Sequence, residues 1–187
     1  MNKKTRVLTT DQYKEIINTM KMGGAGTHPN ERIATILVLE GNLGLRISDI
    51  LNLRLCDIVR DGDRYRLDIV EQKTGKRRTF TVPLIIQQYI ENYCLRNGIQ
   101  RMDTIFPITE RAVQKQLHIV CDHLGYDGIS THSFRKWYAT EIYKNSGYDI
   151  ALVQRLLQHS SAATTQRYIG IETQRIEQAI QNHAQLL

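Results

Sequence analysis

RYRLDIVEQKTGKRRTFTVPL, residues 64–84, is where the chain changes period. RYRLDIVEQ alternates polar and apolar positions, and RRTFTVPL alternates again, the pattern of half-buried strands. Thr74-Gly75-Lys76 between them is a turn signal, and Asp61-Gly62-Asp63 bounds the first run. Residues 57–83 therefore read as a β-hairpin.

Helical spacing dominates on both sides of the hairpin. Upstream, residues 10–21 form a short helix capped by Thr10 or Asp11, and KMGGAGTHPN breaks it. Ile33, Ile36 and Leu37 recur at helical spacing between Asn30 and Asn42, with Val38 and Leu39 widening the stripe as in a buried helix. Residues 48–56 form another short helix with Ser48 as its cap. Downstream, helices are expected at 84–96, 110–124 (cap Thr109), 132–145, 150–158 (cap Asp149) and about 161–169. A C-terminal helix follows from about 172. The fold class is mainly α (α+β): roughly eight helices with a small antiparallel sheet at one edge. The length of 187 residues suits one domain.

Composition narrows the function. No run approaches the roughly 18 apolar residues needed to span a membrane. The basic start MNKKTRVLTTDQ lacks an apolar segment after it, unlike a secretory signal. Cys56, Cys94 and Cys121 are odd in number and far apart, which points to buried thiols in a reducing compartment. Net charge is +6, which favours a polyanionic partner, nucleic acid above all.

Candidate chemistry lies at four places. In THSFRKWYAT, residues 131–140, His132 and Arg135 share a helix face. They read either as a solvated basic face or as a phosphate clamp, with arginine supplying a planar fork of donors. Arg46 falls at the break between two apolar helices, where it forms an interhelix salt bridge, with Asp49 for example, or binds a ligand. Lys73, Lys76, Arg77 and Arg78 crowd the hairpin turn, which is either simply solvated or enters a DNA groove, and one amine there could protonate a leaving alkoxide. His159 and Tyr168 lie in LLQHSSAATTQRYIG, residues 156–170. Two metal readings compete. Glu71 and Lys73, with Asp57, Asp61 or Asp63 upstream, resemble half of a metal-dependent nuclease site. His118, Cys121 and His123 suggest zinc but lack a matching second pair of ligands.

Taken together these residues resemble the tyrosine recombinase, or phage integrase, family. Its G-L-R-x-S-[DE] box matches Gly44-Leu45-Arg46-Ile47-Ser48-Asp49, and its hairpin K-T-G-K matches Lys73 to Lys76. Its H-x-x-R matches His132 to Arg135, and its second histidine and tyrosine match His159 and Tyr168. The resemblance runs from about residue 7 to 170. It implies that Arg46 and Arg135 clamp the scissile phosphate, and that Tyr168 attacks phosphorus to form a 3′-phosphotyrosyl bond. His132 assists the phenol, Lys73 protonates the leaving 5′ oxygen, and His159 donates to the phosphate. Lys76, Arg77, Arg78 and Lys136 are expected DNA contacts.

The implied activity is site-specific recombination of double-stranded DNA by a tetramer, with no metal, ATP or other cofactor, in the cytoplasm at the nucleoid. The alternatives are a DNA-binding regulator with the same fold and a metal-dependent nuclease. Lys136 stands where a histidine often follows the motif arginine, and Gln158 where a glycine often precedes the second histidine. Family members usually carry a helical core-binding domain ahead of the catalytic one. Here residues 1–187 are expected to be a single catalytic domain, either a stand-alone protein or a piece of a longer integrase. The helix from about 172 packs on its own domain or docks into a neighbouring protomer.

Overall fold

The computed structural model describes residues 5–24 and 26–169. The expected helix from about 172 lies outside them. The chain divides into two compact units, one ending at Tyr138 and one starting at Ala139.

The first unit is built on α1 (Thr10–Met22) and α2 (Glu31–Leu43). Thr9, one residue earlier than expected, caps α1 and completes a reciprocal capping box with Gln12. Asn30 caps α2 through the backbone N–H of Ile33. Helix α2 is buried on nearly every side, which is why its apolar stripe reads so wide. Glu40 is nevertheless fully buried in it.

Beyond α2, helix α3 covers only Ile47–Leu51, and Arg46, not Ser48, occupies its N-cap position. The expected helix to 56 stops early because its backbone is taken elsewhere. Leu53 O accepts from Ile105 N, and Cys56 N donates to Arg101 O. A 3-10 turn at Leu55–Asp57 leads into the sheet.

The sheet has three antiparallel strands in the order β1 (Ile58–Asp61), β2 (Arg64–Val70), β3 (Arg77–Val82). Asp61-Gly62-Asp63, read as a boundary, is the turn of a second hairpin, with Asp61 opposite Arg64. Leu67 pairs with Phe80 and Tyr65 with Val82. Leu67, Phe80 and Val82 pack with the helical core. Helix α4 (Leu84–Arg96) starts after Pro83, and α5 (Glu110–His123) is capped by Thr109. Val113, Leu117, Val120 and Cys121 of α5 face inward, while His118 is exposed beside Asp122. Cys121 and His118 thus point apart, and the zinc grouping does not form. Burial pushes the Cys121 thiol up to about 12.

Helix α6 (Thr131–Asn145) runs through the division between the units. In the first unit its Phe134 joins the core, and Trp137 stacks on Tyr13 with ring centroids 4.0 Å apart. The second unit continues with α7 (Ile150–Leu157) and α8 (Ala162–Ile169), which pack on each other. Asp149 caps α7 as expected. Among the described residues no helix is long and apolar enough to cross a membrane.

Candidate active site

The first unit gathers three arginines, Arg46, Arg78 and Arg135, at the C-terminal end of α2. That end carries free carbonyls and the negative pole of the helix dipole, which attract guanidinium groups. Gly44 terminates the helix in the left-handed conformation, with φ 57° and ψ 30°. Its carbonyl accepts from Arg135 Nη1 at 2.7 Å and from Arg78 Nη1 at 3.2 Å. Leu43 O accepts from Arg78 Nη2 at 3.5 Å. Arg46 follows two residues later in extended backbone and opens α3.

Glu71 ties these arginines together. Its side chain is fully buried, and its Oε2 accepts from Arg46 Nη1 at 2.5 Å while its Oε1 accepts from Arg78 Nη1 at 3.3 Å. Thr74 Oγ1, in the hairpin turn, donates to the same Oε2 at 2.9 Å. Burial alone would raise the Glu71 pKa. Hydrogen bonds from Arg46 and Thr74 and the charges of Arg46 and Arg78 outweigh it and hold the carboxyl below its usual range. Both oxygens of Glu71 are therefore committed to cations and a hydroxyl of this chain, which argues against its reading as a nuclease metal ligand. Asp49 Oδ1 accepts from the backbone N–H of Gln72 at 2.8 Å, fastening the hairpin to α3 rather than pairing with Arg46.

Four expected DNA contacts have different settings. Lys76 and Arg77 are exposed near the hairpin turn, and Arg77 forks onto Asp68, with Nε 2.7 Å from Oδ1. Lys136 Nζ donates to Thr5 O at 2.8 Å, bracing the N-terminal segment. Arg78 is a correction: it is 2% exposed, so it cannot present a surface to DNA. The reason was present in the strand period. Arg78, Phe80 and Val82 share one face of β3, and that face meets the core. Burial, with repulsion from Arg135, lowers the Arg78 pKa to about 10 despite Glu71, so it stays charged at neutral pH.

His132 is exposed in the first turn of α6, one turn from the buried Arg135. Desolvation first, then the charges of Arg135, Lys136 and Lys73, lower its pKa below the ordinary histidine value. It is therefore neutral at physiological pH and able to accept a proton. Lys73 occupies the exposed turn closed by Glu71 N donating to Lys76 O and by Gly75 N donating to Glu71 O.

The second unit pairs the remaining two residues. Gln158 ends α7 in the left-handed region, with φ 55°. A glycine would adopt that conformation without the roughly 1 kcal/mol penalty of a side chain. His159 follows, its N–H donating to Gln154 O and its Nδ1 lying 3.1 Å from Thr165 Oγ1. That contact fixes the ring, which meets the Tyr168 ring edge-on with centroids 5.2 Å apart. Ser161 Oγ accepts from Thr164 N at the start of α8, which carries both Thr165 and Tyr168. The small polar residues between His159 and Tyr168 thus act as a cap and a ring clamp.

The sequence reading passed over the structural part played by Glu71 and Arg78. Period-2 alternation from Leu67 and Ile69 places Glu71 inward, as it places Arg78 inward from Phe80, and an acid and a base on one core face are an ion-pair signal.

The chain is similar to known proteins in both sequence and fold. The model of the "Phage integrase family" matches residues 6–175. The chain is 32% identical over 151 residues to "Probable integrase/recombinase YoeC" of Bacillus subtilis (strain 168), covering 76% of this chain and 80% of that one. It is 28% identical over 185 residues to tyrosine recombinase XerC of Caldanaerobacter subterraneus subsp. tengcongensis, covering 92% of this chain and 49% of that one. The chain thus spans about half the length of that relative. In fold it is similar to the crystal structure of XerA recombinase, with a TM-score of 0.70, 20% identity and coverage of 98% of this chain and 67% of that one.

Proposed function

The chain belongs to the phage integrase family, and from that premise we propose that it breaks and rejoins DNA strands through a covalent phosphotyrosine. The observation that carries the reading is the seating of Arg46 and Arg135: one fork held by a buried carboxylate, the other by a helix-terminal carbonyl. Such preorganised donors stabilise charge on a transferring phosphoryl group without reorganising during reaction.

In this reading Arg46 and Arg135 bind the non-bridging oxygens of the scissile phosphate. The Tyr168 oxygen attacks phosphorus and its proton passes to neutral His132. The bond from phosphorus to the 5′ oxygen breaks, and Lys73 supplies the proton that makes the 5′-hydroxyl. His159, its ring fixed by Thr165, donates to the phosphate. A 5′-hydroxyl from another strand reverses each step, so the energy of the broken bond is kept in the phosphotyrosyl link. Lys76 and Arg77 are the hairpin residues assigned to DNA, and Arg78 is left out because it is buried. We treat both units as parts of one catalytic domain, acting as a tetramer on double-stranded DNA at the cytoplasmic nucleoid.

The test uses nicked duplexes, selected for binding from a randomised pool, from which the released strand diffuses away. A covalent protein–DNA adduct is expected, unaffected by EDTA. Tyr168→Phe should lose the adduct and keep binding, and a persistent adduct in that variant would refute the assignment. Abolition by EDTA would favour the nuclease reading instead.

A further inference from the structure

Arg46 and the Lys73 turn are held by one carboxylate. Glu71 Oε2 accepts from Arg46 Nη1 and from Thr74 Oγ1, and the Glu71 backbone closes the turn through Lys76 O and Gly75 N. Glu71 Oε1 reaches Arg78, which in turn donates to Gly44 O, the acceptor of Arg135. The side chain is fully buried, and its known partners take both oxygens. Nothing in the phosphoryl-transfer chemistry requires a carboxylate here. A negative charge beside Arg46 even opposes phosphate binding, so its presence asks for another reason.

We propose that Glu71 is a positioning residue that sets Arg46 and Lys73 in mutual register, an inference that rests on the strand-exchange reading above. Arg46 neutralises charge on the phosphate, while Lys73 protonates the leaving oxygen. Those tasks fall on opposite parts of the same phosphate and must be aligned together. Glu71 aligns them because it grips the guanidinium directly and the lysine turn through Thr74. Its side chain does not touch the DNA.

Two altered substrates separate the tasks. A methylphosphonate at the scissile position replaces a charged non-bridging oxygen with a neutral methyl group, so it needs less from Arg46. A 5′-bridging sulfur leaves as a thiolate, so it needs no proton from Lys73. Single-turnover adduct formation is measured with the full chain on the ordinary, methylphosphonate and sulfur substrates. Glu71→Gln should slow the ordinary reaction on the order of 100-fold, as misplacement by about 1 Å does. The deficit should shrink on each altered substrate. No deficit, or an equal deficit on all three, would overturn the proposal, because a general loss of folded protein affects every substrate alike.

Thr74→Val keeps the result decisive should Glu71→Gln fail to fold, since Thr74 is exposed. It should slow the ordinary substrate by roughly tenfold, a fraction of what a general acid contributes, and leave the sulfur substrate at the unaltered rate. Equal slowing of both, or of neither, would overturn the coupling. Absence of adduct with the unaltered chain would instead refute the strand-exchange reading itself.

Discussion

Gly44→Ala tests whether the end of α2 is built around a missing side chain. Gly44 has φ +57°, and a Cβ there would lie 2.3 Å from two ring atoms of Tyr138. The left-handed backbone costs an alanine about 1–2 kcal/mol. Forcing the methyl against a ring that is itself packed costs about 1–3 kcal/mol more. The expected loss is therefore about 2–5 kcal/mol, or roughly 4–20 °C in Tm for a chain of this size. Gly62→Ala is the control, because Gly62 has φ +62° and nothing within 4 Å of its would-be Cβ. It should cost only the backbone share, about 1–2 kcal/mol. Urea titration of both variants isolates the Tyr138 contact as the difference. Activity is a second readout, because Gly44 O seats Arg135 and Arg78. Adduct formation well below Tm should fall on the order of 100-fold in Gly44→Ala and stay unchanged in Gly62→Ala. Equal stability losses would refute the steric argument, and a full reaction rate in Gly44→Ala would refute the seating of the arginines.

Two further outcomes depend on pH. Glu40 is fully buried, with neither carboxylate oxygen hydrogen-bonded among the described residues, and burial raises its pKa well above the usual range despite Arg135. The folded chain thus keeps a proton that the unfolded chain releases above about 4.3, so stability falls as pH rises from there toward the raised value. Glu40→Leu should remove that slope and be more stable than the unaltered chain at pH 8; parallel urea midpoints from pH 4 to 8 would contradict this. His132 is shifted the other way: its folded pKa lies below the ordinary value of about 6.5, so its ring stays neutral down through that pH. The stability linked to it is present above the unfolded value and lost as pH falls through the folded one. Adduct formation should hold from pH 8 to about 6.5 and fall only below, and His132→Gln should lose that acid limb. An onset already between pH 8 and 7 would count against His132 as the proton acceptor.

How much was legible follows from how local each signal is. Helices α4 to α8 stand within a residue or so of their expected bounds because caps such as Thr109 and Asp149 act on the next few amides. The shortened α3 was not legible, since what ends it is pairing of residues 53–56 with 101–105, far along the chain. The strand β1 was missed because four residues show too little alternation, although Gly62 marked its turn. Arg46, Lys73, His132, Arg135, His159 and Tyr168 come together as a proposed set through the family resemblance alone. Their partners were not, because Glu71 and Gly44 O meet the arginines only through tertiary packing.

By itself the sequence determined the helical periods, the alternating hairpin, the caps and the order of the motifs that carry the proposed site. Each depends on residues within a turn or a strand of one another, where spacing is geometry. Tertiary structure decided which charges face outward. Arg77 and Arg78 are neighbours of the same type, yet one is exposed on Asp68 and the other is buried between Glu71 and the end of α2. A buried arginine persists only where a carboxylate and carbonyls from distant segments converge on it. That convergence, formed by residues 43–46, 71–78 and 135 in the first unit, exists only once the chain has folded.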